Sequence, residues 1–496
     1  MSIISIPTIY ERLPVPLQNA AVTLAGLALS HLRSGHRSAK IRQEIDALMR
    51  LSAGEIRDWQ LSRIKTIVSY AYENVRFYRR RFDEIGFLPG DLRTWEDFLH
   101  LPLTTKAHLQ QHADEMVSTA APAYSSFVVQ TSGTTGKPRL IRTSASAIAA
   151  HHAHFTSVWK RRNITSTARW VRIGGSRVIP RTQKCPPFWR YNYFDNQLYM
   201  SARHISLTSA DAYQKAICDF SPAVINGYSS ALYGLALCFL KLGLAVPRTL
   251  GLVLCDSESL LPLQKDAIHQ AFHCEVASYY GLAEKVAFLS ECVHGLFHVH
   301  PSYGVVEFLS NKGKSAASGI AAIVGTTLIN NAMPLIRYVT EDVAYLDPSQ
   351  KSCACPLSSP VITRIDGRMG DLICTPSGIV LAPAMMEHCM DNVYNAKKVY
   401  VEQQGITELI VHFYPDEGFS DVEVDAFVKK ARELTNQEIN IKTTIHSDSP
   451  PDSLKYRFIR SDISPRALWG GVAGTTTPGD DQMPVVFGQP KRLGHY

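Results

Sequence analysis

Between Glu44 and Tyr72 the apolar residues Ile45, Leu48, Leu51, Ile56, Trp59, Ile64, Ile67 and Tyr70 return at helical spacing, which predicts a helix with one face on a core. Shorter apolar runs read as strands: Ala223-Val224-Ile225, Leu250 to Leu254, and Gly304 to Leu309. Helices and short strands alternate in this way as far as a boundary near Gly370. From Lys397 the order changes to strand Lys398 to Glu402, strand Glu408 to Phe413, helix Asp421 to Leu434 and strand Asn440 to Thr444, a small α+β unit. The expected division is a large domain over 1–369, with a helical lead-in over 1–115, a small domain over 370–465, and an extended or flexible tail over 466–496, rich in Gly, Thr and Pro. The stretch Leu13 to Leu32 is interrupted by Gln18, Asn19, Ser30 and His31, too polar for a membrane span. Glu11 beside Arg12, with no clear cleavage site after it, speaks against a signal peptide, so an amphipathic N-terminal helix is expected.

A chain of 496 residues exceeds one ordinary core and fits a large plus a small domain. Hydrophobic content of 45% against 19% charged residues is a globular balance that can enclose a deep site. The net charge of +7 comes from 51 basic and 44 acidic residues without a long basic run, a weak signal for nucleic acid. The ten cysteines need not pair in a reducing compartment, and the expected location is the cytoplasm.

The chemistry concentrates first in Thr131-Ser132-Gly133-Thr134-Thr135-Gly136-Lys137-Pro138, entered from Phe127-Val128-Val129. Gly133 and Gly136 free the backbone to bring N–H groups to anionic oxygens, Ser132, Thr134 and Thr135 add hydroxyl donors, and Lys137 adds positive charge. Such a loop grips the phosphates of ATP. A Walker A loop has four residues between its glycine and Gly-Lys and then Ser or Thr. Here two residues intervene and proline follows, so a kinase- or GTPase-type site is excluded.

The octapeptide resembles the phosphate loop of the adenylate-forming superfamily of acyl-CoA ligases, peptide-synthetase adenylation domains and luciferases. Four later segments resemble that family's motifs in the same order: Tyr279-Tyr280-Gly281-Leu282-Ala283-Glu284, Met333 to Asp342, Gly367-Arg368-Met369-Gly370-Asp371, and Leu454-Lys455-Tyr456-Arg457. The chain departs from the motifs at Glu341, where glycine is usual, at Gly370, where the hinge has aspartate, and at Leu454, where glycine precedes the lysine. Tyr70 to Tyr78, Leu101 to Lys106, Pro222 to Ser229 and Cys255-Asp256-Ser257-Glu258 resemble the phenylacetate-CoA ligase branch and its capsule-biosynthesis relatives.

The resemblance implies an α/β fold, in which a large domain of sheets layered with helices carries a small mobile α+β domain. It implies an AMP-forming carboxylate ligase that makes an acyl-AMP and then, with CoA, an acyl-CoA. Lys455, Glu284 and Thr131 are then the catalytic set, with Glu284 holding Mg2+. Ser132 to Lys137 grip phosphate, Ser257, Glu258, Tyr279, Tyr280 and Gly281 lie by the adenine, and Asp342 and Arg368 hold the ribose. Arg337 either supports Asp342 or touches ligand. The excess of positive charge suits anionic ATP and CoA. An amine, a carrier-protein thiol or a small nitrogen nucleophile remains an alternative acceptor, and a degenerate nucleotide-binding protein a second alternative. No nucleic-acid partner is expected, and a homodimer stays open.

Cys292 and His298, with Cys353 and Cys355 downstream, offer three sulfurs and an imidazole, a donor set suited to a closed structural zinc site. Some members of the branch carry a similar pattern; His294 and His300 are substitutes for His298, and unrelated reduced side chains are the alternative. Trp170, Arg172, Phe188, Trp189, Arg190, Tyr191, Tyr193 and Phe194 cluster in the central third, which favours an aryl or planar acid as substrate, or else the filling of a large core.

Overall fold

Val224, Leu252, Leu254 and Ala277 face one side of a sheet, and Ile225, Val253, Cys255 and Val276 face the other, each set inside its own apolar cluster. Strands buried on both faces are what near-continuous apolar runs produce once helices cover both sides. In the computed structural model, which describes residues 8–33, 36–120, 126–131, 139–175, 178–180, 182–350, 352–377, 379–448, 457–461 and 463, these strands belong to a nine-stranded sheet. Its strand order is Val361–Ile362, Phe297–Val299, Phe288–Glu291, Glu275–Gly281, Leu252–Asp256, Val224–Tyr228, Trp170–Gly174, Gln197–Ser201 and Trp189–Asn192.

The five strands from Glu275–Gly281 to Gln197–Ser201 are parallel, flanked by antiparallel edges. Parallel neighbours need crossovers, supplied by helices Ala210–Phe220, Ser229–Leu242 and Pro262–Phe272, whose Ile217, Leu235 and Ile268 enter one cluster. Helix Ala145–Lys160 covers the opposite face with Phe155, Val158 and Trp159. From Trp170–Gly174 the chain passes to the edge strand Trp189–Asn192, returns through Gln197–Ser201, the neighbour on that side, and then crosses to the neighbour on the other, Val224–Tyr228. Such a reversal leaves a crevice beyond the carboxyl ends of the strands, where open α/β sheets bind ligands.

The helix expected over Glu44 to Tyr72 is two helices, His36–Leu48 and Ala53–Asn74. Ser52 separates them: its hydroxyl accepts from the Glu55 N–H at 3.3 Å while the Glu55 carboxylate accepts from the Ser52 N–H at 2.9 Å, a capping box that starts a new helix. Leu13 to Leu32 forms helix Val15–Arg33, which covers the edge strand Trp189–Asn192 through Asn19, whose side-chain oxygen accepts from the Tyr191 N–H at 3.0 Å. No helix among the described residues is long and apolar enough to cross a membrane.

Contacts divide the chain into two compact units: Met1–Val306, Gly325–Tyr338 and Lys351–Val361 in one, and Glu307–Val324, Val339–Gln350 and Ile362–Tyr496 in the other. The second therefore takes in chain from well before Gly370. Near its C-terminal end, strands Asn440–Ile445, Glu408–Pro415, Ala396–Gly405 and Ile459–Ser461 form a sheet in that order. Helix Asp421–Leu434 packs Phe427 and Ala431 against Val401, Val411 and Phe413. The α+β order and the helix read from the sequence are both present.

Candidate active site and metal centre

Asp256 ends a central strand and is buried, yet it is fully engaged. The Arg172 guanidinium pairs with it, the Tyr279 hydroxyl donates to it at 3.0 Å, and the Asn226 amide donates at 3.2 Å. Arg172 also donates to the Asn226 side-chain oxygen at 2.5 Å and lies over the Tyr228 ring. Burial alone would raise the Asp256 carboxyl; the Arg172 charge and its hydrogen bonds outweigh that and hold the group below the usual carboxylate range. These residues stand on neighbouring strands at the reversal of strand order, so the network fixes the carboxyl-end rim of the sheet. Arg172 was expected only as part of an aromatic stretch; Asn226 and Asp256 carried no sequence signal beyond the branch segments around them.

On that rim Ser257 adopts φ +65°, a left-handed turn. Glu258 then returns to accept from the Ser230 N–H at 2.9 Å, in the first turn of helix Ser229–Leu242. Tyr279 is stacked on Phe288 with its hydroxyl on Asp256, so it is a fixed wall. Tyr280 and Gly281 complete the strand.

Glu284 and Lys285 are buried beyond this strand, with the Tyr338 hydroxyl 3.5 Å from the Glu284 carboxylate. The next residue, Val286, is held in a clasp of two glycines. A Cβ on Gly304 would lie 2.1 Å from the Val286 carbonyl oxygen, and one on Gly325 would lie 2.8 Å from the Val286 side chain. Only glycine permits that approach, and the approach sets where Glu284 emerges. Burial lowers the Lys285 ammonium to about pKa 7, against the pull of neighbouring Glu284.

The lead-in helices grip the Met333 to Tyr338 segment. Tyr78 accepts from the Ile336 N–H at 2.8 Å, the Thr104 N–H donates to the Arg337 carbonyl at 2.9 Å, and the Ser118 N–H donates to the Ala332 carbonyl at 3.0 Å. Arg337 sends its guanidinium to the carbonyls of Leu99 and, at 2.6 Å, Leu101, at the end of helix Trp95–His100. These bonds give the arginine a structural task that the sequence did not reveal, and they tie the Tyr70–Tyr78 and Leu101–Lys106 segments to the later motif.

In the second unit Asp342 and Arg368 are Cα partners on antiparallel strands Tyr338–Leu346 and Arg364–Arg368. The Asp342 N–H donates to the Thr340 hydroxyl at 3.1 Å, and that hydroxyl donates to the Ile323 carbonyl at 2.8 Å. Glu341, between them, adopts φ +64°, the backbone conformation for which the motif's usual glycine is suited. Asp371 receives Arg457 in a two-nitrogen ion pair, one nitrogen at 2.9 Å.

Cys292, His298, Cys353 and Cys355 converge: one ligand atom from each lies within 4.8 Å of all the others. Cys292 and Cys353 sulfurs are 3.5 Å apart, too far for a disulfide, and Cys355 Sγ lies 3.1 Å from His298 Nε2. Tetrahedral zinc with bonds of about 2.0–2.3 Å places its ligands roughly 3.3–3.8 Å apart, so the donor set fits that ion. His298 Nδ1 meets Ser359 Oγ at 3.2 Å, leaving Nε2 for metal. The first ligand pair is shaped by a tight turn in which Gly295, at φ +77°, donates to the Cys292 carbonyl at 3.0 Å. His300 points elsewhere, 2.9 Å from His154 and 2.8 Å from Ser290, so His298 is the histidine the cluster contains.

Thr131 ends strand Ser126–Thr131, paired with Arg139. Ser132, Gly133, Thr134, Thr135, Gly136, Lys137 and Lys455 lie outside the described residues. The aromatic stretch divides. Trp170 packs between Phe155 and Trp159, Phe188 stacks on His204, and Arg190 is buried on Gln18, Gln183 and backbone carbonyls. Tyr193 and Phe194 are exposed. Arg172 reaches the rim through Asp256.

No protein-family model matches the chain. It is 25% identical over 365 residues to Protein CapK of Staphylococcus aureus, covering 74% of this chain and 78% of that one. It is 26% identical over 355 residues to the phenylacetate-coenzyme A ligase of Thermus thermophilus, covering 67% and 74%. A solved 2-hydroxyisobutyryl-CoA ligase in the postadenylation state, bound to R3-HIB-AMP, superposes with a TM-score of 0.66 at 18% identity over 86% of this chain and 94% of that one. By sequence the chain is similar to the phenylacetate-CoA ligases and CapK, and its fold is that of the acyl-CoA ligase it superposes on.

Proposed function

We propose that the protein is an AMP-forming ligase that activates a carboxylic acid with ATP and hands the acyl group to CoA. The observation that carries this reading is the placement of Asp256-Ser257-Glu258 and Tyr279-Tyr280-Gly281 at the carboxyl ends of adjacent parallel strands, in a chain whose relatives include named phenylacetate-CoA ligases. A carboxylate is a poor acyl donor because its leaving group is oxide. Attack of its oxygen on the α-phosphorus of ATP forms a mixed anhydride with AMP and expels pyrophosphate; a thiolate then attacks the acyl carbon and AMP leaves.

Each residue's part follows from its chemistry. The wall of Tyr279, held by Asp256 and Phe288, limits the adenine side, and Asp342 with its cross-strand partner Arg368 suits the ribose hydroxyls. The loop from Thr131 to Lys137 supplies donors for the outer phosphates, and Lys455 positive charge for the carboxylate and α-phosphate. Glu284, buried beside the Tyr338 hydroxyl and Lys285, fits a magnesium ligand. Bound there, Mg2+ neutralises phosphate charge. The Cys292, His298, Cys353 and Cys355 set suits structural zinc, since four protein donors leave no position for substrate.

The acid stays open between aryl and alkyl classes, because Trp170 and Phe188 of the aromatic stretch are taken up in core packing. The CapK name specifies no acceptor, which keeps an amine, a carrier-protein thiol or a small nitrogen nucleophile as the second reading. A cytoplasmic location suits ATP, CoA and the free cysteines. AMP formation with ATP and a panel of acids, with and without CoA, tests the assignment: stimulation by CoA supports the thioester, and acid-dependent AMP formation indifferent to CoA supports another acceptor.

A further inference from the structure

Helix Val15–Arg33 has its polarity inverted. The side against the protein carries Val22 and most of its polar residues: Gln18 is buried and accepts from Arg190 at 2.5 Å, Thr23 bonds to Tyr191 and Tyr193, Ser30 is buried, and Gly26 lies where a Cβ would strike the Asn192 side chain at 2.2 Å. The outward row is Leu17, Ala20, Leu24 and Ala28, spaced as one helical face, with Leu17 54% and Leu24 65% exposed. A helix that merely covers a core does the opposite. Tyr193 and Phe194, 66% and 49% exposed, follow the edge strand under the helix, where the Tyr193 N–H donates to Thr23 at 3.3 Å.

Charge distinguishes the occupants. The helix contains no acid, and after its apolar face the sequence carries Arg33, Arg37, Lys40 and Arg42 before the next acid, Glu44; Arg12 precedes it, with Glu11 the single acid earlier. In a two-fold contact with a second copy running parallel, the cations Arg33 to Arg42 meet their like, and running antiparallel they meet the neutral Glu11–Arg12 pair, which gives them no counter-charge. A phospholipid surface with anionic headgroups offers the complement to both the apolar row and the flanking cations.

We propose that this helix seats the protein on an anionic lipid surface, with Leu17 and Leu24 entering the headgroup–acyl boundary and Tyr193 and Phe194 beside them. The protein then works as a peripheral enzyme without a spanning segment, suited to an acid or acceptor held at a membrane.

Co-sedimentation of the full chain with phosphatidylcholine vesicles, with and without phosphatidylglycerol, tests this, alongside Leu17→Glu/Leu24→Glu and Arg33→Gln/Arg37→Gln/Lys40→Gln variants. Circular dichroism and melting temperature verify folding; both leucines are exposed, so the acidic pair leaves the fold intact. Expected is binding to anionic vesicles that weakens at high salt and falls roughly tenfold in either variant, with little binding to phosphatidylcholine alone. Failure to bind anionic vesicles, or equal binding by wild type and the Leu17→Glu/Leu24→Glu protein, overturns the proposal. So does a dimer in sedimentation velocity that the same leucine substitutions abolish while vesicle binding is absent, because the row is then covered by a second copy.

Discussion

His298 Nε2 lies 3.1 Å from Cys355 Sγ although the two residues are 57 positions apart, because strand Phe297–Val299 carries the histidine alongside the returning chain, whose Pro360 carbonyl accepts from the Val299 N–H at 2.9 Å. The expected consequence is about one zinc ion per chain in purified protein, measured by elemental analysis. Cys355→Ser should lose the metal and melt several degrees lower, and a strong chelator should have the same effect on wild type. Metal-free protein with an unchanged melting temperature would remove the zinc from the account.

The Arg172–Asp256 pair is buried, so removing one partner strands the other charge. Asp256→Asn is expected to destabilise the first unit by about 3–5 kcal/mol, and Arg172→Met with Asp256→Leu by much less than the sum of the single changes. Thermal melts of the three proteins measure this. Because the folded-state Asp256 carboxyl is depressed, its contribution is complete above the unfolded value near about pH 4 and is lost as pH falls below it. The difference between wild type and Asp256→Asn should therefore narrow on acidification; a difference that widens contradicts the pairing.

Glu341 occupies a left-handed conformation, to which glycine is better suited. Relief of about 1–2 kcal/mol of backbone strain exceeds the roughly 0.5–1 kcal/mol entropic cost of glycine. Glu341→Gly should raise the melting temperature of the second unit by about one to a few degrees, read by calorimetry. A fall would mean that the Glu341 side chain contributes more than its backbone costs.

Much of the fold was legible because its signals are local. Helix Asp421–Leu434 and strand Gly304–Leu309 follow directly from apolar spacing. The break at Ser52 was hidden because apolar residues on both helices keep a compatible spacing, and only the Ser52–Glu55 box marks the stop. At the site, the segments around Tyr279 and Glu284 and the Cys and His cluster were visible as motifs. The ties between them were not. Arg337 on Leu99 and Leu101, Tyr78 on Ile336, and Gly304 and Gly325 around Val286 join residues far apart in sequence, and no local pattern encodes such pairs. The aromatic stretch left the acid's class open because large rings fill cores as readily as pockets, as Trp170 and Phe188 do.

The most direct test is pyrophosphate release from ATP and magnesium across a panel of aryl and alkyl carboxylic acids, comparing wild type with Lys455→Ala. The account expects release that requires a particular acid and falls at least about a hundredfold in Lys455→Ala, with both proteins melting alike. Release that persists undiminished in Lys455→Ala, or none with any acid from a protein that binds ATP, would contradict adenylation by this site.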